Sequence, residues 1–451
     1  MRLFPLLSAL LALSLLAADQ PNVILIMADD FGYECVTSYG GESYQTPNLD
    51  RLAAEGVRFE HCHSQPLCTP TRVQLMTGRY NVRNYLNFGT LARSETTFGH
   101  LLQKAGYATG ICGKWQLGRE TDAPRHFGFQ EALLWQHTRR PPRYANAGLE
   151  LNGVEKDYPE GSYGPKLIND FALDFITRHK DAPFFLYYPM ILTHDPFQPT
   201  PDSPDWDAKA RGENIHRKTA HFADMVSYMD KMVGRLDEHL KQLGLRDNTL
   251  LIFTGDNGTH SSITSRFQGR DYQGGKGHTT NNGHRVPLIV SWPAVIKQSR
   301  VCGDLVSCAD VLPTLSSATG APLPDSVDGV SFLPQLRGEP GTPRDSIYAW
   351  YSPRQGPDMT VREYAFDQHY KLYRDGGFFD LKADPLEKAA LQEPLTEMAA
   401  NTRSKLQACL DRYQNARPAE LDATFKAAAK EMPDNAGKTR KKGKAGKNKN
   451  L

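Results

Sequence analysis

After its first seventeen residues the chain has no apolar run able to cross a bilayer, which takes about 20 residues as a helix. No sign of charge dominates: 53 Lys and Arg stand against 51 Asp and Glu, a formal net charge of +2. A chain this close to neutral lacks the field that marks a nucleic-acid binder, so none is expected as a partner. Cysteine is scarce, seven in 451 residues, too few for a disulfide-stapled scaffold of this length. The 37 Gly and 30 Pro follow no triplet period, which excludes a collagen-like rod. With 39% hydrophobic and 10% aromatic residues, a largely disordered chain is excluded as well. The length accommodates two or three structural units at roughly 100–200 residues each.

The two ends differ from the middle. Met1-Arg2 and the apolar stretch Phe4–Ala17 read as an export signal, with Ala17 and Ala18 as small residues for cleavage. An uncleaved membrane anchor is the alternative. Export implies a periplasmic or secreted protein and an oxidising compartment. There, an odd number of cysteines leaves at least one without an intramolecular partner. Cys302 and Cys308 are close enough in sequence to close a small loop. From Lys438 to Leu451 there are seven basic residues and no acidic one, which leaves the rest of the chain at −5. The Gly, Lys and Asn-rich stretch from Pro433 reads as a disordered tail, either merely solvated or an arm for acidic polysaccharide.

Between the ends, hydrophobic periodicity predicts strands at Pro21–Met27, Tyr107–Cys112, Pro183–Pro189, Thr249–Thr254 and Pro287–Ser291. Helices are expected at Asn48–Gly56, Thr97–Ala105, Asp170–Arg178 and His216–Leu243. Alternation of this kind implies an α/β fold with a mostly parallel sheet flanked by helices. Beyond about Pro340, short strands at Ser346–Tyr351, Thr360–Phe366 and His369–Tyr373 and a helix over Leu391–Tyr413 suggest a smaller C-terminal α+β subdomain. Trp135–Ser162 reads as a loop rich in Arg, Pro and Gly, a candidate substrate rim.

In parallel sheets ligands gather beyond the carboxyl ends of the strands. Asp29-Asp30 and Asp256-Asn257 each follow a predicted strand, His194 follows another, and Lys114 sits just after a fourth. Three carboxylates and an amide oxygen suit a hard cation, calcium or magnesium. Helix N-capping is the simpler explanation of either pair alone, whereas two such pairs after separate strands favour a metal. Cys68, beside Pro70 and Arg72, is a nucleophile or half of a disulfide. Lys114 and Lys276 sit in Gly-flanked loops that let an anion approach, or they are ordinary solvated lysines.

The ordered set of motifs adds a resemblance. Ala28-Asp29-Asp30, Cys68-Thr69-Pro70-Thr71-Arg72 with Met76-Thr77-Gly78-Arg79, Gly113-Lys114-Trp115, and Thr254-Gly255-Asp256-Asn257-Gly258 resemble the type I, formylglycine-dependent sulfatases. Gly274-Gly275-Lys276, Arg285-Val286-Pro287 and the stretch Phe378–Glu387 do so too, and the resemblance spans about Pro21 to Lys388. It implies an alkaline-phosphatase-like α/β fold and sulfate-ester hydrolysis. A separate maturation enzyme would oxidise Cys68 to formylglycine (3-oxoalanine). Asp29, Asp30, Asp256 and Asn257 would bind Ca2+, and Arg72 would hold the aldehyde hydrate. Lys114 and Lys276 would bind sulfate, with His194 near the leaving oxygen. The hydrate carries two hydroxyls on one carbon, one to attack sulfur and one to drive release. The implied organisation is a signal peptide over 1–18, a sulfatase domain over 19–340, the C-terminal subdomain over 341–430 and the basic tail over 431–451.

Two positions depart from the family pattern. Gln116 stands where a histidine is usual, and an amide cannot titrate. Asn281-Asn282-Gly283-His284 stands where an acidic residue is usual before Arg285. His260 and His278 are the spare titratable groups nearby in sequence. The expected substrate is a sulfated carbohydrate, with Trp135, His137, Arg139, Arg140, Arg143 and Tyr144 either able to stack on sugars and pair with anions or forming a merely solvated, variable loop. A phosphomonoester or phosphonate hydrolase, and a calcium-dependent binder of sulfated glycan with hydrolysis lost, are the competing readings.

Overall fold

The computed structural model describes residues 20–136, 142–210, 218–355 and 359–430. The proposed signal peptide and basic tail, together with His137, Arg139 and Arg140 of the rim, lie outside the described residues. Sixteen strands are numbered in chain order: β1 (Asn22–Ala28), β2 (Val57–His63), β3 (Ala108–Gly113), β4 (Glu131–Trp135), β5 (Gly148–Leu151), β6 (Val154–Asp157), β7 (Phe184–Pro189) and β8 (Thr249–Gly255). They continue as β9 (Thr264–Phe267), β10 (Arg270–Gln273), β11 (Arg285–Ser291), β12 (Arg300–Ser307), β13 (Ile347–Tyr351), β14 (Arg362–Phe366), β15 (Tyr370–Tyr373) and β16 (Phe378–Asp380).

β1, Asn-Val-Ile-Leu-Ile-Met-Ala, is buried at every position. A strand covered on both faces has no polar side to alternate, which is why it reads as a continuous apolar run. It lies in a ten-stranded sheet of order β12-β2-β11-β8-β1-β7-β3-β4-β5-β6. β1 runs parallel to β7 and β8, and β3 parallel to β7 and β4, while β11 and the β4-β5-β6 edge run antiparallel. Successive residues of a strand face opposite sides. Val23, Leu25 and Met27 accordingly join one apolar cluster with the helices Cys68–Thr77, Phe98–Lys104 and Val311–Thr319. Ile24, Ile26 and Ala28 join the other, with Pro47–Ala54, Gly164–Arg178 and His221–Gln242.

β13 to β16 form a separate antiparallel sheet in sequential order, against which the helix Glu397–Arg412 packs. Tyr348, Trp350 and Leu372 of that sheet belong to the same apolar cluster as the main domain. Among the described residues, no helix is long and apolar enough to cross a membrane.

Several expectations need correction. The stretch Trp135–Ser162 is not all loop, because β5 and β6 pair within it. The helix expected over Leu391–Tyr413 begins at Glu397, since Pro394 intervenes and Thr396 accepts from the Ala399 N–H as its N-cap, and a further helix, Ala419–Lys430, follows it. All seven cysteines are free. Cys302 lies on β12 and Cys308 just beyond its end. A strand rises about 3.3 Å per residue, whereas a disulfide joins Cα atoms less than about 7 Å apart.

Candidate active site

Strand register brings the acidic pairs together. Ala28 pairs with Gly255 across the parallel β1–β8 ladder, so Asp29 and Asp256 leave the sheet side by side. The Asp30 N–H donates to Asp256 Oδ1 at 3.0 Å. Neither pair caps a helix: Asp30 has φ 61°, and a short 3-10 turn, Tyr33–Cys35, follows only after Gly32. The capping explanation therefore falls. Asp29, Asp30, Asp256 and Asn257 are all fully buried.

Four basic side chains converge on these carboxylates. Lys114 Nζ lies 2.8 Å from both Asp29 oxygens, and Arg143 Nη1 lies 3.2 Å from Asp29 Oδ2. Arg72 Nη2 donates to Asp256 Oδ2 at 2.9 Å and Nη1 to the Lys114 carbonyl at 3.1 Å. Lys276 Nζ reaches Asp30 Oδ2 at 2.7 Å. Asn257 Nδ2 donates to Asp30 Oδ1 at 2.8 Å, and its own Oδ1 is buried without a hydrogen-bond partner.

The electrostatics are uneven. Burial raises the Asp29 carboxyl, but Lys114, His194, Arg143 and Arg72 outweigh it and hold the group well below the usual carboxylate range. Burial likewise opposes ionisation of Asp30, and Lys276 and His194 overcome it. Asp256 is different: burial and the Asp29 charge push it up to about 6, and Arg72 offsets only part of that. A fully buried acidic cluster with one carboxyl undercompensated, plus an orphaned amide oxygen, fits a hard divalent cation. Single ligand atoms of Asp29, Asp256 and Cys68 lie within 4.8 Å of one another, as do those of Asp29, Asp30 and His194.

Cys68 opens the helix Cys68–Thr77, every residue of which is buried. Thr71 Oγ1 accepts from the Gln65 N–H at 2.9 Å, and Asn81 Nδ2 donates to the Pro70 carbonyl at 3.0 Å, so this turn is held from both sides. Burial raises the Cys68 thiol despite the nearby Lys114 and Lys276. An unmodified Cys68 is thus a protonated thiol, since reactivity belongs to the thiolate.

His194 follows β7. Its Nδ1 donates to the Asp195 carbonyl, which leaves Nε2 to accept from Lys276 Nζ at 3.2 Å. Burial, then Arg143, pushes its pKa down to about 3, against Asp30 and Asp29. The imidazole is therefore neutral. Tyr144 was expected to stack on sugar; instead it is buried and donates its hydroxyl to the Ile191 and His194 carbonyls, fixing the His194 backbone.

Gly113 sets the direction of Lys114. Its φ is +125°, and a Cβ there would stand 1.9 Å from the Pro189 carbonyl oxygen, which already accepts from the Lys114 N–H at 2.8 Å. Gly113→Ala is expected to lower stability by about 1–3 kcal/mol and to cut turnover, read together by thermal unfolding and steady-state kinetics.

A cleft of about 650 Å3 opens onto this constellation, with Cys68, Gln116, Trp135, Arg143, His194 and Lys276 in its lining. Arg143 stacks 4.3 Å from the Trp135 ring centroid. Its Asp29 contact was not foreseen, because a loop arginine carries no sequence signal of reaching into a core. Gln116 holds φ 58°, and its Oε1 is buried without a partner. His260 bonds Ser262, His278 is exposed, and neither lines the cleft.

The chain matches a family model described as Sulfatase over residues 21–321 and one described as N-sulphoglucosamine sulphohydrolase, C-terminal, over 275–416. It is 34% identical to arylsulfatase A of Bos taurus over 441 residues, 86% of this chain and 81% of that one. It is 33% identical to N-acetylgalactosamine-6-sulfatase of Canis lupus familiaris, covering 84% and 83%. The solved structure of Ps i-CgsB in complex with k-i-k-neocarrahexaose superposes with a TM-score of 0.74 at 25% identity, covering 92% of this chain and 98% of that one. The mostly parallel sheet and the acidic and basic residues gathered at its carboxyl edge agree with these matches. The chain belongs to the sulfatase family of sulfuric ester hydrolases, in the alkaline-phosphatase-like superfamily.

Proposed function

We propose that the protein hydrolyses a sulfate ester of a carbohydrate, using a formylglycine made from Cys68 and a calcium ion held by Asp29, Asp30, Asp256 and Asn257. The carrying observation is the grouping of Cys68 Sγ with carboxylate oxygens of Asp29 and Asp256 within 4.8 Å, at the inner end of the cleft. The metal would neutralise sulfate oxygens, and the aldehyde, as its hydrate, would supply the nucleophile.

The protein's own residues supply the rest. Sulfate esters resist attack because their anionic oxygens repel nucleophiles. Lys114 and Lys276 place ammonium groups at that charge, and each such donor contributes on the order of 2.7–4 kcal/mol to the transition state. Arg72, tied to Asp256 and to the Lys114 backbone, fixes the geometry between Cys68 and the acidic cluster. Lys276 Nζ keeps its proton and donates a hydrogen bond to neutral His194 Nε2, and this pair would meet the departing oxygen. Half-buried Gln116 offers an amide where a titratable group is usual, so it would orient without exchanging protons.

The sugar assignment is supported by the Trp135 ring, which lines the cleft beside Arg143, and by the carbohydrate named for the relatives above. The apolar stretch Phe4–Ala17 supports export, and the Cys68–Arg72 motif supports a maturation enzyme as partner. Side-by-side turnover of an aryl sulfate and the matching aryl phosphate tests the reaction class. Sulfate turnover exceeding phosphate turnover by at least about 1.4 kcal/mol of barrier, tenfold in kcat/KM, is expected. The reverse order would favour a phosphoester hydrolase.

A further inference from the structure

Lys276 sits in a loop that has little means of fixing itself. Gly274, Gly275 and Gly277 flank it, and Gly277 has φ +88°. The loop is nonetheless held on two sides. Towards the main domain, the Lys276 N–H donates to the Thr259 carbonyl at 3.0 Å and the Gly277 N–H to the Pro66 carbonyl at 2.8 Å, two residues before Cys68. Towards the C-terminal sheet, Tyr351 on β13 donates its hydroxyl to the Gly277 carbonyl at 3.2 Å. From β15, Lys371 Nζ donates to the Thr279 carbonyl, and the Tyr373 hydroxyl meets Thr279 Oγ1 at 2.8 Å.

These last two contacts depend on Glu387. Its Oε1 lies 2.9 Å from Lys371 Nζ, and its Oε2 accepts from the Tyr373 hydroxyl. The Lys371 side chain is fully buried and that of Glu387 nearly so. Burial pushes the Lys371 ammonium down to about 8, with Glu387 opposing. His284 Nε2 at 3.5 Å from Lys371, and His63 Nδ1 at 3.0 Å from His284 Nδ1, continue the network to β2. Burying an ion pair is a poor route to stability, since desolvation consumes most of the attraction. A pair aimed at one carbonyl of a glycine-rich loop does something else: it sets where that loop stands.

We infer that Lys371, Glu387 and Tyr373 of the C-terminal sheet are positioning residues that set the reach of Lys276 into the cleft through Thr279. This rests on the reading of Lys276 as a sulfate-binding residue. The substrate-facing ammonium is supplied by the large domain, and its placement is supplied by the small one.

The test is a double-mutant cycle on the matured, calcium-loaded enzyme with an aryl sulfate as substrate. Tyr373→Phe removes one hydroxyl and leaves no charge unpaired. Lys371→Met with Glu387→Gln removes both charges together, which avoids stranding one of them. Each is made in the wild-type background and in Lys276→Ala. In the wild-type background the paired substitution is expected to lower kcat/KM on the order of 10²-fold, the cost of misplacing a group by about 1 Å. Tyr373→Phe is expected to lower it by about 1.4 kcal/mol of barrier, or tenfold. In the Lys276→Ala background neither is expected to lower it further, because the two act through one group. Binding of inorganic sulfate, measured by calorimetry, follows the same pattern. Equal losses in both backgrounds, or full activity in the clamp variants, would overturn the inference. If Lys276→Ala alone leaves kcat/KM unchanged, the sulfate-binding reading of Lys276 fails first, and the inference falls with it. If the paired variant does not fold, Tyr373→Phe alone decides.

Discussion

Replacing Cys68 with alanine is expected to lower sulfate-ester turnover on the order of 10⁶-fold, the scale on which enzymes lose activity with their covalent nucleophile. The fold is expected to survive, because the site is a fully buried helix start held by Thr71 and Asn81 rather than by the sulfur itself. Removing one small buried group costs about 1 kcal/mol, the typical size of a point substitution. The thermal midpoint is therefore expected to move little while kcat collapses. Cys68→Ser separates the role further. A serine offers one hydroxyl, enough to attack sulfur but without the second needed for release. That variant is expected to give at most one product per enzyme and then stop, with sulfate retained on Ser. Sustained turnover by either variant would remove Cys68 from the chemistry.

The second large effect belongs to Asp256. Its carboxylate holds Arg72 at 2.9 Å with both side chains buried, accepts from the Asp30 N–H, and faces Asp29 across the β1–β8 pairing. Asp256→Asn keeps the shape and removes the charge. The Arg72 guanidinium is then left buried without its partner, a loss of about 3–5 kcal/mol in stability. The proposed calcium site would lose one of its carboxylates as well. Turnover is expected to fall on the order of 10³-fold, the upper end for losing one electrostatic element of a preorganised site. Full chelation should bring the wild-type enzyme to a similarly low rate, restored by adding Ca2+. Calcium titration followed by calorimetry separates the two consequences. The variant should show weakened binding at temperatures where it is still folded. Unchanged calcium affinity would place the ion elsewhere.

How far the sequence could be read follows the physics of burial. β1, β7 and β8 were legible because strands covered on both faces must be apolar throughout. Their ends then marked Asp29, Asp256 and His194. The helix Cys68–Thr77 was not foreseen, and its residues show why: all ten are buried, so no polar face alternates with an apolar one. β2, Val-Arg-Phe-Glu-His-Cys-His, was hidden by its charges, which sit on half-buried positions while Val57 and Phe59 face the core. The edge strand β6 was hidden by exposure, since every one of its residues faces solvent.

At the site, motif residues carried the information, and long-range contacts did not. Lys114, Arg72 and Lys276 were named from their motifs, and the structure brings each within hydrogen-bond distance of Asp29, Asp256 or Asp30. Arg143 was read as a rim residue and Tyr144 as a sugar platform. Their contacts to Asp29 and to the His194 carbonyl depend on chain folding over more than forty residues, which no local pattern encodes. Lys371 read as an ordinary strand residue, because its partner Glu387 comes from a later turn and its target Thr279 from a distant loop.

The conversion of Cys68 is the claim on which the rest depends. The direct measurement is the mass of the tryptic peptide Phe59–Arg72 from protein made in its native host. The sequence of fragment ions would separate Cys62, in the same peptide, from Cys68. The account predicts an unmodified thiol at Cys62 and, at Cys68, the mass loss that turns a thiol into an aldehyde. A Cys68 that keeps its thiol in an enzyme with full sulfate-ester turnover would contradict it.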